Sequence, residues 1–385
     1  MHILHITPYY APAYSYGGVV TAVQGMVEAL AARGHQMTVL TTDTLSRDER
    51  YTRASDDMLN GVRVLRHRNL LPLLRGKFNL STPVGLRKNL GHLLADTDVV
   101  HTHEFRSLEN MLTLPLIGKY NIPVVLSAHG TLTHSTGRNL LKQNWDRLLS
   151  PAIAKHIQHI IALTAQEKSE IIDVWEQFGM IPPLSIIPNG VNLAEFEHLA
   201  DDTIFREHYN LSDEKIVLFM GRLHPRKGVD VLVRAFKQAN LTHTRLVLAG
   251  PDEGMMDILS PLLDERIILT GYIDGELRES ALSAADVFVL PAIGEGLSMA
   301  VLEAMAAGLP VILSPGCNLP EAEAAGAGLI VEPEVDALAA ALQTLIHDDA
   351  KQRHMSIAAS ALVEQKFTWD TVAAQLEATY QQLVQ

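Results

Sequence analysis

Two glutamates and the short helix between them are the first residues with spacing that could do chemistry. In residues 294–312, GEGLSMAVLEAMAAGLPVI, seven residues separate Glu295 from Glu303. Ser298 can cap a helix that starts near Met299, and Gly308-Leu309-Pro310 stops it. Backbone N–H groups at such a helix start are free to bind an anion. A diphosphate seated there would leave Glu295 facing whatever hangs on its far side and Glu303 facing hydroxyls on its near side. Carboxylates are strong acceptors for vicinal sugar hydroxyls. The pair therefore suits a sugar–diphosphate–nucleoside, one carboxylate at each end. Taken alone, it fits a turn residue and an exposed helix residue equally well.

The stretch GRLHPRKG, residues 221–228, follows the apolar run IVLFM and brackets a Pro-containing turn with Arg222 and Lys227, Arg226 beside them. Arg supplies a bidentate fork and Lys a point charge, which suits phosphate oxygens. Near the N-terminus, Gly17-Gly18 lies between a strand and a helix. It fits a loop that lets backbone N–H groups approach a ligand, or an ordinary tight turn. No G-x-G-x-x-G follows this strand and no P-loop is present, so dinucleotide redox chemistry and P-loop NTP hydrolysis lose support. His129, in VVLSAHGTL, stands just after a strand, where it could meet a polar substrate or serve structure alone. His101 and His103 form H-x-H in VVHTHEF, but no carboxylate or cysteine set completes a site, so no metal is expected.

These residues need strands to end beside them. HILHIT at residues 2–7, MTVLTT at 37–42, and runs at 62–65, 99–101, 124–128, 160–163 and 185–187 read as strands, with a helix over 20–33 closed by Gly34. A second series starts near Lys215: strands at 216–220, 244–249, 267–269, 287–290, 311–313 and 329–331, with helices at 228–238 and 277–284. Strand–helix alternation of this kind builds parallel sheets. The expectation is an α/β chain of two doubly wound domains, 1–190 and 191–367, joined near 188–212 and followed by a lone amphipathic helix from about 368. Ligands of such sheets bind beyond the carboxyl ends of strands. Two halves facing across a cleft would put the substrate between them.

Bulk properties agree and exclude alternatives. At 385 residues with 47% apolar content, the chain can build two or three cores, and 19% charged residues without low-complexity tracts argue against disorder. Residues 1–190 carry 18 Lys+Arg and 15 Asp+Glu, a net of +3, whereas 191–385 carry 13 and 29, a net of −16. So acidic a half argues against nucleic acid as partner. Cys317 is the single cysteine, which precludes an internal disulfide and fits a reducing compartment. MHILHITPYY lacks the basic-then-apolar order of a signal peptide, and no run of about 18 apolar residues spans a membrane, so a cytoplasmic protein is expected. Between residues 59 and 95 no acidic residue occurs, while Arg63, Arg66, Arg68, Arg75, Lys77, Arg87 and Lys88 do. That stretch could lie on an anionic membrane face, meet an anionic acceptor, or be a solvated surface.

Together and in this order, the pieces resemble the retaining glycosyltransferases of family 4, which have the GT-B fold of two Rossmann-like domains. The resemblance spans nearly the whole chain and is carried by PYYAPAYSYGGV, DVVHTHE, SAHGTL, ALTAQEKSEI, IPNGVN, GRLHPRKGVD, LTGYI and ADVFVLPAIGEGLSMAVLEAMAAGLPVI. It implies a nucleotide-diphosphate sugar donor, UDP- or GDP-linked, bound mainly by the second domain without metal or other cofactor. It implies that Arg222 and Lys227 neutralise the diphosphate, that Glu295 holds donor-sugar hydroxyls and Glu303 the ribose. Main-chain groups around Leu297, Ser298 and Met299 would bind sugar or phosphate, Gly17 and Gly18 would approach the phosphates, and His129 would sit beside the transferred sugar. Tyr272 and Ile273 would pack the base, and the C-terminal helix, about 368–385, would cross back onto the first domain. The acceptor would be a glycan or lipid-linked hydroxyl, as in polysaccharide or lipopolysaccharide assembly. Leu297-Ser298 stands where many members carry Phe-Gly or Phe-Pro, which leaves room for altered sugar contacts. A nucleotide-sugar 2-epimerase or hydrolase on the same fold, or a non-catalytic binding subunit, are the competing readings.

Overall fold

A computed structural model of the chain describes residues 1–46, 48–71, 74, 80–88, 90–133 and 139–385. The chain divides into two compact units: Met1–Gly190 with Trp369–Gln385, and Val191–Thr368.

The strands of unit 1 are β1 (His2–Ile6), β2 (Gln36–Thr42), β3 (Asp56–Leu59), β4 (Val62–Asn69), β5 (Pro83–Val84), β6 (Val99–His103), β7 (Val124–Ser127), β8 (His159–Ala162) and β9 (Leu184–Ile186). Their spatial order is β3-β4-β2-β1-β6-β7-β8-β9, with β5 beside β4. Neighbours are parallel except where β4 meets β3 and β5. Chain order reverses between β1 and β6, so a switch point lies at the middle of the sheet, where loops diverge and ligands find room. Side chains alternate across a strand, so each strand feeds two cores. Leu4, Ile6, Val100, Leu126 and Ile160 join one. Ile3, Val39, Val99, Val125 and Ile161 join the other, together with Val23, Met26 and Val27 of the helix Gly18–Ala32.

That second core also takes Val372, Ala373, Leu376 and Tyr380 from the C-terminal helix Trp369–Val384. This helix lies so close to Gly18–Ala32 that a Cβ on Gly25 would stand 2.2 Å from Trp369 Cε2 and Nε1. Arg33 anchors its outer face, reaching Asp370 and Glu377 at 2.9 Å each.

Unit 2 holds β10 (Lys215–Met220), β11 (Thr244–Ala249), β12 (Ile267–Gly271), β13 (Val287–Leu290), β14 (Val311–Leu313) and β15 (Gly328–Ile330), all parallel in the order β12-β11-β10-β13-β14-β15. The unbroken runs IVLFM and VFVL suit strands covered on both faces, and every residue in them is buried.

Several elements differ from the sequence reading. β6 runs two residues further than expected, which takes both histidines of H-x-H into the strand. The hairpin β3–β4 was not expected, because Asp-Asp-Met-Leu lacks strand alternation and is held by cross-strand pairs. The helices Val335–Ile346 and Asp349–Lys366 also went unread. Among the described residues no helix is long and apolar enough to cross a membrane.

Gly25→Ala should cost about 1–3 kcal/mol through overpacking against Trp369. Thermal unfolding checks this: paired with Trp369→Leu, the alanine should cost much less than it does alone. Additive losses would show that the helices do not meet at this point.

Candidate active site

In unit 2 the expected site residues follow the carboxyl ends of β10, β12 and β13. After β10 the chain turns through Pro225–Lys227, with His224 Nδ1 accepting the Arg226 N–H at 3.1 Å. Gly228 closes the turn at φ 66°, and a Cβ there would lie 2.3 Å from Pro291 O. Glycine is required on both counts, and it lets the basic turn press against the loop after β13. Arg226 fastens the two together: its carbonyl accepts the Ile293 N–H at 2.8 Å and its guanidinium donates to Gly294 O. Arg226 therefore builds the loop.

Glu295 is held by its backbone. Its N–H donates to Gly316 O at 2.8 Å, and Asn318 Nδ2 donates to its carbonyl at 2.6 Å. Gly316 passes so close to the loop that a Cβ would meet Ala292 O at 2.4 Å. The two clamps bring Lys227 Nζ to 2.9 Å from Glu295 Oε2, with both side chains only about 15% exposed (15% and 16%).

The other expected ligands are also paired. Arg222 meets Glu253 at 2.9 Å, and Glu303 meets Arg278 at 2.5 Å. Sequence reasoning missed Glu253 and Arg278. Arg278 could have been sought on the helix Gly275–Ala284, which follows Tyr272 and Ile273 beyond β12. Tyr272 is 58% exposed. Desolvation raises its pKa first, and the charges of Asp274, Arg278 and Glu303 all act on it, which places these groups in one neighbourhood.

Ser298 corrects one expectation. It occupies the N-cap of Met299–Ala306, but its side chain makes no capping hydrogen bond among the described residues. The side chains of Leu297 and Met299 are turned inward at 6% and 8% exposure, so their main chain is what could face a ligand.

In unit 1, Gly17 precedes the helix Gly18–Ala32 at φ 95° and donates its N–H to Tyr14 O at 2.9 Å. His129 follows β7 in the left-handed region, φ 53°. Its turn is stapled by Glu167, whose carboxylate accepts the Gly130 N–H at 2.5 Å and the Leu163 N–H at 2.6 Å. Burial pushes the Glu167 carboxyl up to about 7 against those two donors. Burial takes His129 down to about 4, so the ring is neutral near pH 7. His103 Nδ1 lies 2.9 Å from His129 Nε2. The H-x-H pair thus stands directly behind the predicted site histidine.

The basic stretch is less free than its sequence suggests. Arg63 pairs with Asp56 at 2.7 Å and Arg66 with Asp57 at 2.5 Å, and Arg87 Nε donates to Leu112 O at 2.6 Å. Arg75 and Lys77 lie outside the described residues. The aspartates of β3 neutralise two cations counted toward a membrane-facing patch, and the described part of the stretch gives that contact no support.

Known proteins resemble the chain over both units. The family profile of glycosyltransferase family 4 matches residues 16–195, and that of glycosyl transferases group 1 matches 201–361. The chain is 26% identical, over 99% of its length and 98% of the relative, to an uncharacterised glycosyltransferase of Methanocaldococcus jannaschii. It superposes on sucrose-phosphate synthase from Thermosynechococcus elongatus with a TM-score of 0.77 at 23% identity, covering 100% of this chain and 99% of that one. Anabaena HepE, solved in complex with UDP and glucose, gives 0.75 at 18% identity over 99% and 100% of the two chains. With a profile on each unit and a strand–helix order shared with these structures, the chain belongs to the glycosyltransferases of family 4, group 1, and has their GT-B fold.

Proposed function

We propose that this glycosyltransferase moves a sugar from a UDP- or GDP-sugar to a hydroxyl of a glycan or lipid-linked acceptor, with retention at the anomeric carbon and without a metal ion. The observation that carries the reading is the Lys227–Glu295 pair, an ammonium and a carboxylate largely withdrawn from water at the carboxyl ends of β10 and β13. Its two members suit the two halves of such a donor. Anabaena HepE, whose structure holds UDP and glucose, shares the fold.

In this reading, charge builds on the departing diphosphate as the anomeric carbon becomes oxocarbenium-like. Lys227, Arg222 and the N–H groups at the start of Met299–Ala306 face that charge, where preorganised groups lower the barrier most. Glu295 holds sugar hydroxyls. Glu303 takes the ribose and Tyr272 with Ile273 the base, and the family resemblance assigns Gly17 and Gly18 to the phosphates and His129 to the transferred sugar. The acceptor hydroxyl attacks from the face the diphosphate leaves, and a diphosphate oxygen takes its proton.

Two measurements test this. Donor turnover is followed with and without an acceptor glycan or lipid, in EDTA, for wild type and Lys227→Ala. The wild type should turn over donor in EDTA only when acceptor is present, and Lys227→Ala should lose at least about 10²-fold in kcat. Undiminished turnover in Lys227→Ala would sink the assignment, and donor loss without acceptor would mark a hydrolase. In Arg278→Ala, Glu303 loses the cation that orients it, and ribose binding is used equally in ground and transition states. KM for the donor should therefore rise about tenfold with kcat little changed. A fall in kcat alone would place Arg278 in the chemistry instead.

A further inference from the structure

Behind His129 lies a hydrogen-bonded file of imidazoles. His5 Nδ1 is 2.9 Å from His103 Nε2, and His103 Nδ1 is 2.9 Å from His129 Nε2. The rings come from β1, β6 and the end of β7, neighbours at the centre of the sheet. His5 and His103 stack with centroids 5.2 Å apart, as do His103 and His129. Both ends of the file are unpartnered among the described residues: His129 Nδ1 and His5 Nε2 are buried without a hydrogen bond.

Proton counting constrains this file. A neutral imidazole carries one N–H and one lone pair. Each of the two contacts between rings needs one proton, so three neutral rings have one proton left for an end. It sits on His5 Nε2 or on His129 Nδ1. An orphaned buried N–H is rarer and more costly than an orphaned acceptor. Both end atoms are buried, but His5 lies inside β1, whereas His129 lies beyond the carboxyl end of β7, where ligands of such sheets bind and can meet it. The spare N–H therefore belongs at His129. A fourth proton is opposed by burial, which lowers His5 to about 3 and His129 to about 4, and His103 well below its ordinary value.

We propose that His5 and His103 are positioning residues that hold His129 as its neutral Nδ1–H tautomer. In the transferase reading above, on which this step rests, that N–H donates to an oxygen of the bound sugar. A free histidine side chain prefers its proton on Nε2, so the file imposes the opposite choice. His5 Nδ1–H donates to His103 Nε2, and His103 Nδ1–H donates to His129 Nε2.

The same cluster has the spacing of a metal site, since ligand atoms of His5, His101 and His103 lie within 4.8 Å of one another. The hydrogen bonds decide otherwise. Tyr380, kept protonated by burial, donates its hydroxyl to His101 Nδ1 at 2.6 Å, and His101 Nε2–H donates to Ser127 Oγ at 2.8 Å. With His5 Nδ1 and His103 Nε2 shared in one hydrogen bond, only His5 Nε2 offers a free lone pair.

The experiment is long-range proton–nitrogen NMR on the full chain with 15N-labelled histidine and no ligand. Wild type should show His129 protonated at Nδ1. His103→Leu and His5→Leu should move it toward Nε2–H, the second from two rings away. His103→Gln, whose amide can donate to His129 Nε2, should keep it at Nδ1. Turnover should fall about tenfold in His103→Leu, with donor KM little changed, and recover in His103→Gln. A wild-type ring protonated at Nε2 overturns the proposal without any variant having to fold, as does a stoichiometric metal in the purified chain. An Nδ1–H signature in a protein that turns over no nucleotide sugar would leave the file intact and refute the transferase reading.

Discussion

Lys227 and Glu295 form an ion pair with little access to water, and much of the local architecture of unit 2 serves to hold it. Taking two charges out of water costs several kcal/mol per ion unless geometry and further hydrogen bonds offset it. The offset is backbone geometry. Gly228 and Gly316 let two loops approach closer than any side chain would allow, Arg226 ties one loop to the other, and Asn318 with the Gly316 carbonyl fixes Glu295. The pair is kept neutral as a unit until a ligand divides it. In the proposed reading, an anion that engaged Lys227 would leave Glu295 in need of donors, and sugar hydroxyls would provide them. A ligand with only one of these features would leave a largely buried charge without compensation, so in that reading the pair would select for both at once.

The same logic extends to Arg222 with Glu253 and Glu303 with Arg278. Against the −16 of residues 191–385, each of the four charged side chains expected to meet ligand, Arg222, Lys227, Glu295 and Glu303, has an opposite charge within hydrogen-bond reach. Unit 1 solves the problem differently. The ionisable groups around His129 shed charge: His5, His101, His103 and His129 are driven neutral by burial, and Glu167 is pushed up to about 7. Where unit 2 pairs the charges of its expected ligands, the histidines behind His129 rely on neutral hydrogen bonds, although unit 1 keeps buried ion pairs elsewhere, such as Arg66 with Asp57.

The parts legible in the sequence were those fixed by local pattern. IVLFM and VFVL read as strands, as they are, buried throughout, and Glu295 and Glu303 were marked by the loop and helix that carry them. The partners were not legible. Whether Arg278 meets Glu303, or Glu253 meets Arg222, depends on which loops lie side by side after folding. Ser298 had the right type and place for a cap, yet its side chain does not perform it. The basic count of residues 59–95 overstated free charge, since Asp56 and Asp57 sit on a hairpin the sequence pattern did not reveal.

The histidine file shows where that boundary falls. Period-two alternation puts His101 and His103 on one face of β6, which H-x-H alone implies. That His5 joins them follows from the parallel register of β1 and β6, which pairs His5 with His101. That His129 closes the file requires a left-handed residue at the end of β7, with Glu167 stapling the turn beyond it. Isolated imidazoles in an apolar core would be costly and without purpose. Linked in one file, each ring satisfies the next, and the two atoms left over lie at its ends. Such a file converts the packing of a sheet into a defined proton position at its rim, which no single side chain at the site could hold by itself.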